Sequence, residues 1–281
     1  MDHLTHGDSR VLKRLLLTSV IVTLSTQAMA AAIVPHRAVY DLEMLRSTQG
    51  ANLGGVSGRM AYEVTGSECD GWSVSMRLVN NFEYKEGNSR LIDMQSSSWE
   101  TGDGKEMNYN EKAFVDNKPD AEKRLSVSRG EANGEGQGKI TLPKEQSFSI
   151  AGDTIFSMHH QLRLMDAAEK GESRDVSVVY DGSDDTKPLR AISTIGKKIA
   201  AGTSTADNAN PSATNLAKLP SWPVSIGYYP SEDNKDDTPL YQISFDMYEN
   251  GVSTGLIMDY GNYALSGKLA HLEFLKPEAC N

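Results

Sequence analysis

Apolar or small residues occupy every second position over long stretches of this chain, the period of a strand with one buried face. Val56, Gly58, Met60, Tyr62 and Val64 keep that period, and so do Trp72, Val74, Met76 and Leu78. Between the two runs, Glu68-Cys69-Asp70-Gly71 is a turn with the favoured Asp-Gly hairpin dipeptide, which puts Cys69 at or beside a hairpin tip. The pattern covers Ile33 to Tyr84 and continues in more polar strands over Ser89 to Glu100 and Glu106 to Phe114, joined by a Gly102-Asp103-Gly104 turn. Leu125 and Val127, then Ile140 and Leu142, alternate around Gly134, Gly136 and Gly138, which read as a loose turn between edge strands.

One segment departs from this period. Ile155, Met158, Leu162 and Met165 follow helical spacing, Asp153 is a suitable N-cap, and Gly171 after Lys170 is a stop signal, so the sequence predicts a helix over 153–170. Its apolar face, widened by Phe156 and Ala168, needs a partner, and the surrounding chain is nearly all strand. The helix is therefore expected on, or in, the concave face of a curved sheet. Strands resume at Asp175 to Tyr180 and Leu189 to Gly196, and the aperiodic stretch from Ala201 to Asn215 reads as a mobile loop inserted in one sheet. Further strand patterns follow from Ser221 to Tyr229, at Tyr241, Ile243, Phe245 and Met247, at Leu256, Met258 and Tyr260, and from Tyr263 to Phe274. An Asn250-Gly251 turn lies among them, an acidic loop spans Glu232 to Asp237, and Cys280 follows the last strand.

The N-terminus bears on compartment. Arg10, Lys13 and Arg14 precede an apolar run from Leu15 to Leu24, and Ala28-Met29-Ala30 supplies small residues at a cleavage site, the three parts of a secretory signal peptide cut after Ala30. A membrane anchor needs about 20 apolar residues, roughly twice this run. No later segment is apolar enough to span a membrane, so residues 31–281 are expected as one soluble periplasmic domain without a lipid-attachment cysteine. The formal net charge is −10, and losing residues 1–30 removes three cations and two anions, leaving the remainder more acidic still. Such a chain lacks the clustered cations that grip phosphates, which argues against nucleic acid as a partner. Two cysteines in an exported chain read most simply as one disulfide, against the alternative of two buried free thiols.

Candidate chemistry is sparse. Gly251-Val252-Ser253-Thr254-Gly255, with Asp259 and His271 after it, has the letters of a serine hydrolase, but the serine follows a hairpin turn and leads into another strand instead of a strand-to-helix elbow. The glycines near 134–138 lack the Lys-Ser/Thr end of a phosphate loop. His159 and His160 are adjacent on the helix, so their rings diverge by about 100° and cannot share a metal as i and i+4 ligands do. A hydrogen-bonded helix histidine is the plainer role. The acidic runs at 181–185 and 232–237 lack the ligand spacing of a calcium loop. No cofactor or metal is expected. Trp72, Met76, Phe82, Met94, Tyr241, Phe245 and Met258 suit either an ordinary sheet core or the lining of a cavity.

The chain as a whole resembles the EipB-like family, periplasmic cell-envelope integrity proteins of alphaproteobacteria. The resemblance rests on Val34-Pro35-His36-Arg37-Ala38-Val39-Tyr40-Asp41-Leu42, Cys69 with Gly71, Trp99-Glu100 ahead of Gly102-Asp103-Gly104-Lys105, and Phe156 with His159. It continues in Trp222-Pro223-Val224-Ser225, Tyr248-Glu249-Asn250-Gly251-Val252-Ser253, and Cys280. Ser157 departs from the proline that family members tend to carry after the helix phenylalanine. The resemblance implies a mainly β fold: a long antiparallel sheet curled into an open, overlapping, barrel-like β-spiral, with one principal helix at its concave side and a Cys69–Cys280 disulfide. It implies a part in maintaining the envelope under stress and supplies no catalytic residues. The expected function is non-enzymatic binding of an envelope protein or peptide, with carriage of a lipid or acyl chain in the lumen as the alternative. The candidate lumen or ligand contacts are Phe156, Met158, His159, Leu162 and Met165 from the helix, with Trp72 and Phe245 from the strands.

Overall fold

A computed structural model describes residues 33–130, 134–183, 186–203, 214–231 and 238–277. The signal-peptide segment, Cys280, the acidic run at 232–237 and most of the loop at 201–215 lie outside the described residues. Eight strands come first: β1 His36–Ser47, β2 Leu53–Ser67, β3 Gly71–Tyr84, β4 Ser89–Glu100, β5 Glu106–Val115, β6 Lys118–Ser128, β7 Gly136–Leu142 and β8 Gln146–Ile150. A two-residue strand β9, Ile155–Phe156, leads directly into helix α1, Ser157–Glu169. Then follow β10 Arg174–Tyr180, β11 Leu189–Ile195, β12 Ser221–Pro230, β13 Tyr241–Tyr248, β14 Ser253–Asp259 and β15 Tyr263–Phe274.

Among the described residues these strands form one 15-stranded sheet in the order β8-β7-β6-β5-β4-β3-β2-β1-β15-β14-β13-β12-β11-β10-β9. First and last strands pair at its middle, His36 facing both Val64 of β2 and Phe274 of β15. This order forces curvature. Strands β8 and β9 occupy opposite edges, yet only residues 151–154 separate them, and that stretch spans at most about 18 Å. A flat sheet of this size would hold its edges about 65 Å apart. The sheet must roll until its ends meet.

Register shows how they meet. Paired residues of antiparallel neighbours share a face, so Val64, Trp72, Val74, Glu100 and Met107 all look inward, toward α1. At the other end of the sheet, Ile155 and Val179 face the same way, while Phe156 and Tyr180 point outward. Those outward rings are nevertheless buried, Phe156 at 0 % and Tyr180 at 1 % exposure. They lie beneath the inner faces of β5 to β8, in one cluster with Met107, Tyr109, Leu125, Val127, Ile140 and Ile150. The outer end of the sheet thus overlaps the inner end, the open spiral that the resemblance implies.

Local sequence explains most boundaries. Asp116 and Asn117, both with positive φ, make a two-residue turn between β5 and β6 that suits the twist of a hairpin. The helix stops at a Schellman cap: Gly171, at φ 73°, donates its N–H to the Ala168 carbonyl, and Glu172 donates to Ala167. The start differs from the expectation at Asp153, which sits in a turn and caps nothing. Residues 155–156 are drawn into the sheet as β9, and the helix begins at Ser157. Gly136 and Gly138 are likewise strand residues of β7 and not a turn. A side chain at Gly138 would fall 2.1 Å from the Phe148 ring, so glycine there lets β8 close onto the overlap.

Candidate functional site

The interior of the spiral is packed around the helix at one end and lined by less fully buried side chains elsewhere. Helix α1 fills one end, its Met158, Leu164 and Met165 packed with Trp72, Val64, Trp222, Val224 and Met247, and with Leu162, Tyr62, Val74, Tyr228 and Phe245 partly buried against them. The expected contacts Met158, Leu162, Met165, Trp72 and Phe245 therefore come together. Phe156 does not join them, because its ring faces outward into the overlap.

The helix N-terminus is tied to the sheet by a buried carboxylate. Glu100, on β4, is wholly buried, and its oxygens accept the Met158 N–H at 3.0 and 3.2 Å. It supplies from 58 residues away the cap that Phe156 cannot provide. His159 stands beside it, Nδ1 at 3.3 Å from Glu100 Oε2 and Nε2 at 3.1 Å from the Gly102 carbonyl. Both ring nitrogens face acceptors, an arrangement that favours the protonated ring. The hydrogen bond to Glu100 raises the His159 pKa above 6.5. Gly104, at φ 66°, lets the turn press against this ring, since a Cβ would sit 2.8 Å from it.

His160 has the opposite surroundings. Its ring is buried, and burial lowers its pKa to about 4 despite Asp175 at 3.9 Å. Asp175 is engaged by Arg163 Nε at 2.5 Å and by the Ser177 hydroxyl at 2.6 Å, so His160 remains neutral. The pKa values of two adjacent histidines thus move in opposite directions because their rings leave the helix in different directions.

Beyond the helix, inward-facing side chains of β2–β4 and β13 are only half-buried: Met60, Met76, Leu78, Phe82 and Met94 on one wall, Tyr241 and Ile243 on the other. The intervening strands β1, β15 and β14 are well filled by Tyr40, Leu42, Leu256, Met258, Leu265 and Leu269. An aromatic row joins the walls. Tyr228 stacks on Tyr241 at 4.6 Å, Tyr260 on Tyr263 at 5.0 Å, and Tyr263 meets Phe82 edge-on at 5.8 Å. Burial, followed by the charge of Asp181, raises the pKa of Tyr228 and Tyr241, so both hydroxyls stay protonated. Inward positions of β4 and β5 contribute polar groups, Ser96, Ser98 and Glu111, with Tyr109 Oη donating to Glu111 at 2.7 Å. The sequence singled out Phe82, Tyr241 and Phe245 but not Tyr228, Tyr260 or Tyr263, whose only signal was aromatic residues at paired strand positions.

The hydrolase letters do not converge. Ser253 and Asp259 begin and end β14, about 20 Å apart, and Asp259 is held by Arg46, while His271 is exposed. No group of three or more metal-ligating side chains occurs among the described residues. Cys69 lies in the exposed β2–β3 turn, where its N–H donates to Ser67 Oγ at 3.3 Å, and no cysteine among the described residues is free. No helix among the described residues is long and apolar enough to cross a membrane.

The EipB-like family profile matches residues 27–276. The cell envelope integrity protein EipB of Brucella abortus (strain 2308) is 33 % identical over 253 residues, covering 89 % of this chain and 87 % of that one. A crystal structure of a beta-barrel-like protein of domain of unknown function DUF1849 from Brucella abortus superposes with a TM-score of 0.80 at 31 % identity, over 87 % of this chain and 99 % of that one. With sequence and architecture in agreement over nearly the whole chain, the protein belongs to the EipB-like family.

Proposed function

We propose that this chain is a periplasmic binding protein that serves cell-envelope integrity, the role named for its Brucella relative, by taking an apolar segment of an envelope protein or peptide into the less fully buried part of its spiral. The observation that carries the proposal is the half-buried inner lining. Apolar side chains at inward register positions, Met76 and Met94 among them, keep partial exposure, which suits a binding surface better than a finished core. Methionines at positions 60, 76 and 94 give that lining a compliant character suited to varied sequences. Ser96, Ser98 and Glu111 on the neighbouring wall add hydrogen-bonding groups, which a peptide backbone uses and an acyl chain does not.

A lipid or acyl chain is the second reading, favoured by Met60, Leu78 and Met94, which pair side by side across β2–β4 on the inward face. Cleavage after Ala30 and pairing of Cys69 with Cys280 belong to the same proposal. The register supports the clasp: His36 faces both Val64 and Phe274, so the β2–β3 turn and the end of β15 lie at one end of the sheet.

A photoreactive amino acid in place of Met76, activated in intact cells, tests the reading. A crosslink to a peptide or protein is the expected result, an acyl-chain adduct selects the second reading, and absence of any adduct beyond the irradiated free protein rejects both.

A further inference from the structure

The overlap that closes the spiral stops abruptly on β10. Along the outer face of that strand Tyr180 is 1 % exposed, Val178 is intermediate and Val176 is 47 % exposed. Cover is lost with distance from β8, whose Phe148 ring lies 5.5 Å from that of Tyr180. Strand β8 is also the terminal strand of the sheet, paired with β7 on one side only. One edge of β8 therefore carries backbone N–H and C=O groups that no neighbouring strand of the sheet takes up.

Beside that edge lies a surface with its own chemistry. Val176 pairs with Ile192 of β11, and Val178 pairs with Arg190, so Val176, Val178 and Ile192 make one outward apolar strip. Arg174 lies two residues beyond Val176 on the same face, and Arg190 closes the other end, seated 5.3 Å over the Tyr229 ring. The two arginines are about 14 Å apart along the strand direction. The remaining outward positions of the pair, Thr194 and Tyr180, carry no negative charge. In a chain of formal net charge −10, this is a cationic frame around an apolar strip whose Val176 is exposed and whose Val178 and Ile192 are partly buried.

We infer that the free edge of β8 and the strip framed by Arg174 and Arg190 together accept an extended acidic–apolar peptide segment of a partner protein as an added strand. The backbone of the segment pairs with β8. Its inward side chains cover Val176 and Ile192, and carboxylates four residues apart, hence on one face of a strand, meet the two guanidinium groups. This surface is on the outside of the spiral and independent of the interior lining.

The test uses the whole exported chain and a synthetic peptide, Glu-Ser-Val-Thr-Glu flanked by two serines on each side, beside a control with lysine in place of both glutamates. The glutamate peptide is expected to bind and to slow amide exchange in β8, the lysine peptide to bind at least about tenfold more weakly, and the double variant R174E/R190E to reverse that preference. V176D is expected to weaken binding about tenfold while leaving the melting temperature unchanged, because the side chain is exposed. Equal binding of both peptides, unchanged exchange in β8, or self-association of the chain through this patch in place of peptide binding overturns the inference.

Discussion

Glu100 is the residue on which the placement of the helix most depends. It is wholly buried, caps α1 through the Met158 N–H and faces the His159 ring, so removing it takes the acceptor from the helix cap and from the histidine beside it. Glu100→Ala is expected to cost on the order of 3 kcal/mol in denaturant unfolding, and Glu100→Gln distinctly less. The histidines beside it give opposite pH dependences. The pKa of His159 is raised in the fold, so its stabilisation is complete below about pH 6.5 and fades as pH rises through the folded value. His160 is depressed to about 4, so its neutral form stabilises above pH 6.5 and that contribution is lost as pH falls toward 4. Melting curves across this range should show His159→Gln losing stability mainly at the acid end and His160→Leu becoming less acid-sensitive. Identical profiles for the two variants would contradict the assignment.

At the scale of elements, the short connection from β8 through β9 into α1 is the hinge of the whole design. Phe156 faces outward under the inner side of β5 to β8 while the next residues start a helix that points inward. One dipeptide thus anchors the overlap and aims the plug. Phe156→Ala should cost about 3–5 kcal/mol and accelerate amide exchange in β7 and β8 ahead of the strands around β1. Uniform acceleration over the whole sheet would show that the overlap is not a separate cooperative unit. The sequence placed this helix by its 3.6-residue period and its glycine stop, but gave it a start at Asp153. That error has a physical origin: an aspartate is a good local cap, and the carboxylate that does cap the helix lies on β4, where no local rule looks.

For the molecule as a whole, the proposed Cys69–Cys280 clasp would fasten the end of β15 to the β2–β3 turn, near the seam where β1 joins both halves of the sheet. A closure of this length restricts the unfolded chain by up to about 5 kcal/mol in entropy models. Cys280→Ser is expected to keep the spiral, since every strand pairing described is formed by residues 36–274, but to lower the melting temperature by several degrees. Equal melting of oxidised and reduced wild-type protein would remove the clasp from the account.

The sequence by itself determined most of the strands, several of their hairpin turns, the one principal helix and the alternation that divides those strands into an inner and an outer face, because these follow from interactions between residues close along the chain. It also marked the apolar positions that line the interior. Tertiary structure decided which of those positions were used up. Trp72 and Met165 became core between the helix and the sheet, whereas Met76 and Phe82 stayed half-buried in the lining, although all four are apolar in the sequence. The same holds for Tyr180 and Val176, two outward residues of one strand, the first covered by the overlap and the second left exposed at its border. Such differences are set by how far a curled sheet overlaps itself, a long-range property that no local pattern encodes.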